Sequence, residues 1–271
     1  MTSDEKKRLS ISQIDMLNRC GEQYRRRYIH GERIPPGISL LVGRATDDSV
    51  SRNLQNKIDT GELLEQEEVE TIAAEAMATS FVTQEVLFSD EEIQAGIKKV
   101  KGQAVDKAVR LSGLHHRSCA PNIEPTHVQR KWVIELENYP MNLTGVIDVQ
   151  EGLKSVRDTK TSGKSPNADA ANDSDQLTMY AMAGKVLDGT IPESLILDYL
   201  VDTKKPKVVT LVTERTAEDF TPMLARIENA MAAIDRGVFI PCPQTFWLCN
   251  PKFCGYANTC AYYRKGAKRD E

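Results

Sequence analysis

Asp148, at the end of Gly145-Val146-Ile147-Asp148, is followed closely by Asp158-Thr159-Lys160. Residues two apart on an extended strand share a face, so Asp158 and Lys160 project together. A hairpin between the two strands would set Asp148 beside them. Carboxylates converging on one point make a hard-oxygen site for Mg²⁺ or Mn²⁺, and an adjacent lysine can polarise or position an attacking water. That is equipment for phosphodiester hydrolysis. The same acid-x-Lys pattern occurs at Asp4-Glu5-Lys6 and Asp202-Thr203-Lys204. Asp202 has no hairpin partner, its nearest upstream acid is Asp198 on its own strand, and Lys204-Lys205-Pro206 marks a solvated turn. Downstream, Gln176 and Tyr180 lie four apart on one helix face. Placed just after the acidic strand, they are candidates for contacting a substrate backbone.

Six cysteines, at 20, 119, 242, 249, 254 and 260, are unusual for a chain with no sign of secretion. In that setting metal or cluster ligation explains them better than a disulfide framework. Cys249-x4-Cys254-x5-Cys260 brings three thiols into one short segment, and Zn²⁺ or an iron–sulfur cluster usually needs four ligands. Cys20 is the leading fourth ligand, Cys242 its rival, and Cys119 a bystander near His115 and His116. Spacing does not choose between zinc and iron–sulfur. A bond from Cys20 to the tail would clip the ends of the chain together.

The elements that position these groups follow from periodicity. Residues 10–30 read as a helix capped by Ser12 with Asp15, followed by helices near 41–57, 65–86 and 90–113. Strands are expected at 128–137, 141–149 and 154–161, then a helix at 175–187, strands at 194–202 and 207–213, and a helix at 216–236. This predicts one α/β domain over 1–271, with a helical block (about 10–115) on a central mixed sheet (about 127–236) and a Cys-rich segment (237–264). The net charge of −4 argues against coating nucleic acid through bulk charge, though a local basic groove is compatible with it. Arg25, Arg26 and Arg27 beside Tyr24 and Tyr28, and Arg264, Lys265, Lys268 and Arg269 after Tyr262 and Tyr263, could follow phosphates or be solvated faces. No apolar run is long enough to span a bilayer and the first ten residues are not a signal peptide, so a cytoplasmic protein without membrane contact is expected.

The ordered set resembles the PD-(D/E)XK nuclease superfamily, specifically its RecB-like and Cas4-like iron–sulfur exonucleases, including phage-encoded forms. Cys20, Gly43, Gly145-x-x-Asp148, Asp158-x-Lys160, Gln176…Tyr180 and the terminal cysteines occur in family order from about Ser10 to Tyr263. The resemblance implies a restriction-endonuclease-like α/β core, a central mixed sheet flanked by helices. It implies a [4Fe-4S] cluster on Cys20, Cys249, Cys254 and Cys260, joining the N- and C-terminal regions. It also implies a Mg²⁺- or Mn²⁺-dependent deoxyribonuclease acting on single-stranded DNA ends in recombination, repair or CRISPR-type processing. A homo-oligomer, or recombination or CRISPR partner proteins, fits that setting, as does the host cytoplasm for a phage protein. Asp148, Asp158, the Thr159 carbonyl and Asp47 would hold the metal, and Lys160 would orient the water or help deprotonate it. Asp47 stands where the family commonly has histidine, four residues after Gly43. Two alternatives are a DNA-binding iron–sulfur module weakened through Asp47, and a zinc-stapled structural or interaction protein.

Overall fold

Ser10 rather than Ser12 starts the first helix, because its backbone N–H donates to Gln13 Oε1 at 2.8 Å and closes a capping box. In this computed structural model, which describes residues 6–264, the N-terminal elements are β1 (Lys7–Leu9), α1 (Ile11–Arg19) and α2 (Gly21–Tyr24). A π-helical turn, Arg25–Ile29, then leads to α3 (Ile38–Thr60), α4 (Gln66–Thr83), α5 (Asp90–Ala95) and α6 (Ile97–Ser118). The remaining elements are β2 (His127–Ile134), β3 (Met141–Glu151), β4 (Ser155–Ser162), α7 (Asp175–Leu187), β5 (Ser194–Val201), β6 (Lys207–Thr213) and α8 (Phe220–Asp235).

The expected helix over 10–30 is broken at Cys20, whose backbone is extended (φ −162°, ψ 104°). Gly21 explains the break. Its N–H donates to the Ile240 carbonyl at 2.7 Å, and a Cβ there would lie 2.5 Å from the Ile240 nitrogen. Two backbones approach so closely that only glycine fits.

The chain divides into two compact units. One holds the described residues up to Ile34, together with Val133–Thr144 and those from Thr221 onward. In it β1 runs parallel to the first residues of β3, Lys7 opposite Met141. The other unit, Pro35–Trp132 with Gly145–Phe220, holds strands in the order β3-β4-β5-β6, with β2 beside β3. β3 and β4 are antiparallel, β4 and β5 parallel, β5 and β6 antiparallel, so the sheet is mixed. The parallel pair requires a crossover, which α7 supplies. Helices α3, α4 and α6 pack through Leu41, Val42, Leu54, Ala73, Met77 and Leu111, and the same core takes in Val149 of β3 and Leu200 of β5. Each large apolar side chain removed from water there contributes roughly 1.5–3 kcal/mol. The architecture is the α/β one expected, a mixed sheet flanked by helices and consistent with a restriction-endonuclease-like core. No helix among the described residues is long and apolar enough to cross a membrane.

Candidate active site

The β3–β4 hairpin sets the acids. Its register pairs Val149 with Arg157 and Gln150 with Val156, so one residue further along Asp148 and Asp158 stand opposite each other. Two residues beyond Asp158 on the same strand face, Lys160 Nζ lies 2.7 Å from Asp158 Oδ2 and donates to Gln176 Oε1 at 2.7 Å. Gln176 Nε2 donates to the Tyr180 hydroxyl at 2.9 Å, and that hydroxyl donates to Asp158 Oδ1 at 3.4 Å. The four residues thus form a closed polar ring. Gln176 and Tyr180, separated by one turn of α7, bond to the lysine and the aspartate themselves.

Asp158 is 1% exposed, and Asp148 shares a hydrogen bond with it. Burial first, then the charges of Asp158 and Asp47, push the Asp148 carboxyl up to about 8. Burial and the charges of Asp158 and Asp48 likewise push Asp47, on α3, up to about 6. The Tyr180 phenol is held well above its ordinary value by burial and both aspartates, which keeps it a donor. Carboxyls crowded in this way either share protons or take up a cation. The donor set is all oxygen and suits Mg²⁺ or Mn²⁺, which keep several waters and use only one or two carboxylates. The geometry matches that economy: Asp148 and Asp158 meet directly, while Asp47 acts on them as a facing charge. Thr159 lies between Asp158 and Lys160 in β4. Among the described residues no three His, Cys, Asp or Glu side chains, whether the acids here or the cysteines below, are already arranged as a metal-holding group.

Two further residues shape this site without a motif to announce them. Gln129 of β2 donates its side-chain amide to Asp47 Oδ1 and Oδ2 at 3.2 and 3.3 Å, and to Ser51 Oγ at 3.1 Å. It is the one non-glycine with positive φ (50°) among the described residues. Such strain persists where surrounding contacts enforce it, often at functional sites. Trp132, also of β2, lies close against Gly145; a Cβ there would be 2.4 Å from the indole. That explains the glycine of Gly145-x-x-Asp148, since only a bare backbone admits the ring. Gly43 is less constrained: a Cβ at that position would meet nothing nearer than Thr161 Oγ1, at 3.5 Å. The Asp202 pattern is structural: Asp202 pairs with Arg110 at 2.7 Å and Lys107 at 3.4 Å.

Five cysteines, Cys20, Cys242, Cys249, Cys254 and Cys260, line one cavity with Tyr256 and Ala257, whereas Cys119 is buried in the helical core of the other unit. The Cys242 N–H donates to Cys20 Sγ at 3.4 Å, and Gln23 Nε2 donates to Cys254 Sγ at 3.0 Å. Burial, then Cys20, pushes the Cys242 thiol up to about 12, and burial raises Cys249. Sulfur donors in an apolar cavity with N–H groups directed at them are of the type that suits a soft metal or an iron–sulfur cluster. Two of the three arginines form ion pairs within the chain, Arg25 with Glu22 at 2.7 Å and Arg26 with Glu32 at 2.5 Å, and Arg27 lies over the Tyr28 ring. Tyr24 is buried against Tyr28 and Phe239. Lys265, Lys268 and Arg269 lie outside the described residues.

Comparison with known proteins accords with this geometry. A search of curated proteins finds no match. Among solved structures, the crystal structure of a "Putative exonuclease" from Eubacterium rectale superposes with a TM-score of 0.56 at 12% identity, covering 97% of this chain and 91% of that one. The structure of a protein named SSO0001 aligns with a TM-score of 0.40 at 13% identity, covering 97% and 89%. At these identities the first likeness speaks to the fold. The family model described as the PD-(D/E)XK nuclease superfamily matches residues 8–261. With the acids and lysine of that signature meeting on one hairpin, the chain belongs to the PD-(D/E)XK nuclease superfamily.

Proposed function

We propose that the protein is a Mg²⁺- or Mn²⁺-dependent deoxyribonuclease that hydrolyses DNA from single-stranded ends. The observation that carries this reading is the closed ring of Asp158, Lys160, Gln176 and Tyr180, with Asp148 bonded to Asp158. Asp148, Asp158, the Thr159 carbonyl and Asp47 would hold the cation, whose contribution is to polarise the phosphoryl group and stabilise charge as it develops. Lys160, fixed by Asp158 on one side and Gln176 on the other, orients the attacking water. Tyr180 and Gln176 keep both groups in place, and Gln129 aims the Asp47 carboxylate. Membership of a phosphodiester-hydrolysing superfamily and the fold shared with the exonuclease-named structure support the reading.

In the same proposal Cys20, Cys249, Cys254 and Cys260 ligate a [4Fe-4S] cluster, supported by the five-thiol cavity and its N–H···S contacts. Anaerobically purified protein, incubated with end-labelled single- and double-stranded DNA and Mg²⁺ or Mn²⁺, should shorten single-stranded ends, and Lys160→Ala should not. Full cleavage by Lys160→Ala, or none by the wild type with either metal, overturns the assignment. The second outcome, with DNA affinity retained, would favour a binding module weakened at Asp47.

A further inference from the structure

From Arg236 to Arg264 the chain carries no carboxylate side chain, although acids outnumber bases over the whole sequence. The same stretch holds seven aromatic residues. Two of them face inward: Tyr256 is buried, and Phe239 stacks on Tyr24 with ring centroids 5.8 Å apart. Trp247 and Phe253 do the opposite. They are 57% and 51% exposed and meet edge to face, with centroids 5.2 Å apart and planes at 81°. Exposing two large rings to water is unfavourable unless something covers them.

The local chain geometry explains why these rings point outward. Each sits beside a cysteine that lines the cavity. Trp247 is two residues before Cys249, whose N–H donates to the Phe246 carbonyl at 2.8 Å. Phe253 directly precedes Cys254, whose N–H donates to the Asn250 carbonyl at 2.7 Å. The Asn250 side chain caps the second turn by accepting from the Lys252 N–H at 3.0 Å. Two successive tight turns direct thiols to the cavity and aromatic rings to solvent. Phe246 adds a third ring, 5.9 Å from Trp247, and Lys252 and Arg264 supply exposed cations with no acid in this stretch.

We propose that the Trp247–Phe253 pair is a base-stacking platform for single-stranded DNA. This rests on the reading of the protein as a DNA nuclease, and it names residues that touch substrate in addition to the catalytic ones. Every base has a π-face, so stacking on fixed aromatic rings holds a strand whatever its sequence, and nearby cations take up the backbone charge. A chain segment with exposed rings and no carboxylate of its own, in an acidic protein, is complementary to a polyanion with exposed bases. A folded duplex hides those bases, so the platform selects unpaired strands.

The chain contains two tryptophans, Trp132 and Trp247, and Trp132 is 4% exposed. Both emit, so the full-length protein and Trp247→Phe are titrated with oligothymidylate in excess EDTA, and the quenching lost in the variant reports on Trp247. Saturable quenching is expected, and Trp247→Phe should abolish it while binding the labelled oligomer almost as well. Trp247→Ala/Phe253→Ala should weaken that binding at least about 10-fold, with duplex affinity unchanged. Unquenched emission, or equal affinity in the double variant at wild-type cysteine-metal content, overturns the proposal. So does loss of self-association in the double variant with DNA affinity intact, which would make the face a contact between copies. Cleavage without quenching removes the platform and leaves the nuclease; quenching without cleavage does the reverse.

Discussion

Gln129 reaches from β2 to α3 and donates its amide to both carboxylate oxygens of Asp47. Asp47 stands four residues after Gly43 and is one of the proposed ligands of the cation. A carboxylate has no ring to fix its direction, and here a second residue supplies that direction. Gln129→Ala should therefore weaken Mn²⁺ or Mg²⁺ binding about 10–100-fold, the usual consequence of losing a partner that orients a ligand. Calorimetric titration with the metal alone checks this. Gln129→Glu, which puts a like charge against Asp47, should be worse than alanine; equal affinity in all three proteins would remove the orienting role.

The crowded carboxyls make the metal-free protein sensitive to alkali. Asp148 is raised to about 8 and Asp47 to about 6. Between about pH 4 and 8 the native state then binds more protons than the unfolded chain, so stability falls as pH rises through that window. In EDTA, the urea midpoint should be lower at pH 8 than at pH 5, and Asp148→Asn should flatten the difference. Added Mg²⁺ should raise the midpoint most at pH 8, where the acids are ionised. A midpoint that climbs with pH in EDTA would contradict the burial argument.

Lys160 is held by two partners, and each can be removed separately. Lys160→Ala should lower kcat at least about 100-fold, the scale of losing a positioned electrostatic group. Gln176→Ala leaves the amine tethered to Asp158 alone and should cost less, with kcat falling and KM for DNA little changed. Single-turnover rates at saturating metal separate the two. A rise in KM with unchanged kcat for Gln176→Ala would instead assign that side chain to substrate binding.

The cavity is lined by five cysteines, one more than the proposed [4Fe-4S] cluster would use. Cys242 gives its backbone N–H to Cys20 Sγ, a role its side chain does not determine. Cys242→Ser should keep iron content and visible absorbance, whereas serine at 20, 249, 254 or 260 should lower both. Iron lost from Cys242→Ser and retained by Cys20→Ser would exchange the two roles.

Gly145 is required by the ring that covers it. Gly145→Val would drive a side chain into the Trp132 indole and should cost about 1–3 kcal/mol, the scale of overpacking. The melting temperature should drop in Gly145→Val and recover in part in the Trp132→Leu double variant. Independent, additive losses would show that the two residues do not meet.

The strands, the acids and the lysine follow from the order of the amino acids alone. Alternation over 141–149 and 154–161, with a glycine turn between, suffices to place Asp148 opposite Asp158, because side-chain direction in a strand follows from parity. The start of helix α7 was legible, since Ser174 caps it by accepting from the Leu177 N–H. The break at Cys20 was not legible: the close approach of Ile240, more than two hundred residues away in the chain, fixes it. Nor was Gln129, whose role depends on β2 lying against α3, a contact between segments with no shared pattern. Sequence already set Asp158 apart from Asp202, the same tripeptide without a hairpin partner; the tertiary structure adds what each faces, Asp158 inside β4 and Asp202 just past β5. One is enclosed with a second acid across a hairpin, and the other is neutralised by Arg110 and Lys107. Periodicity fixes what a residue's own element does with it; which charges face it depends on packing between distant segments, and only the folded chain settles that.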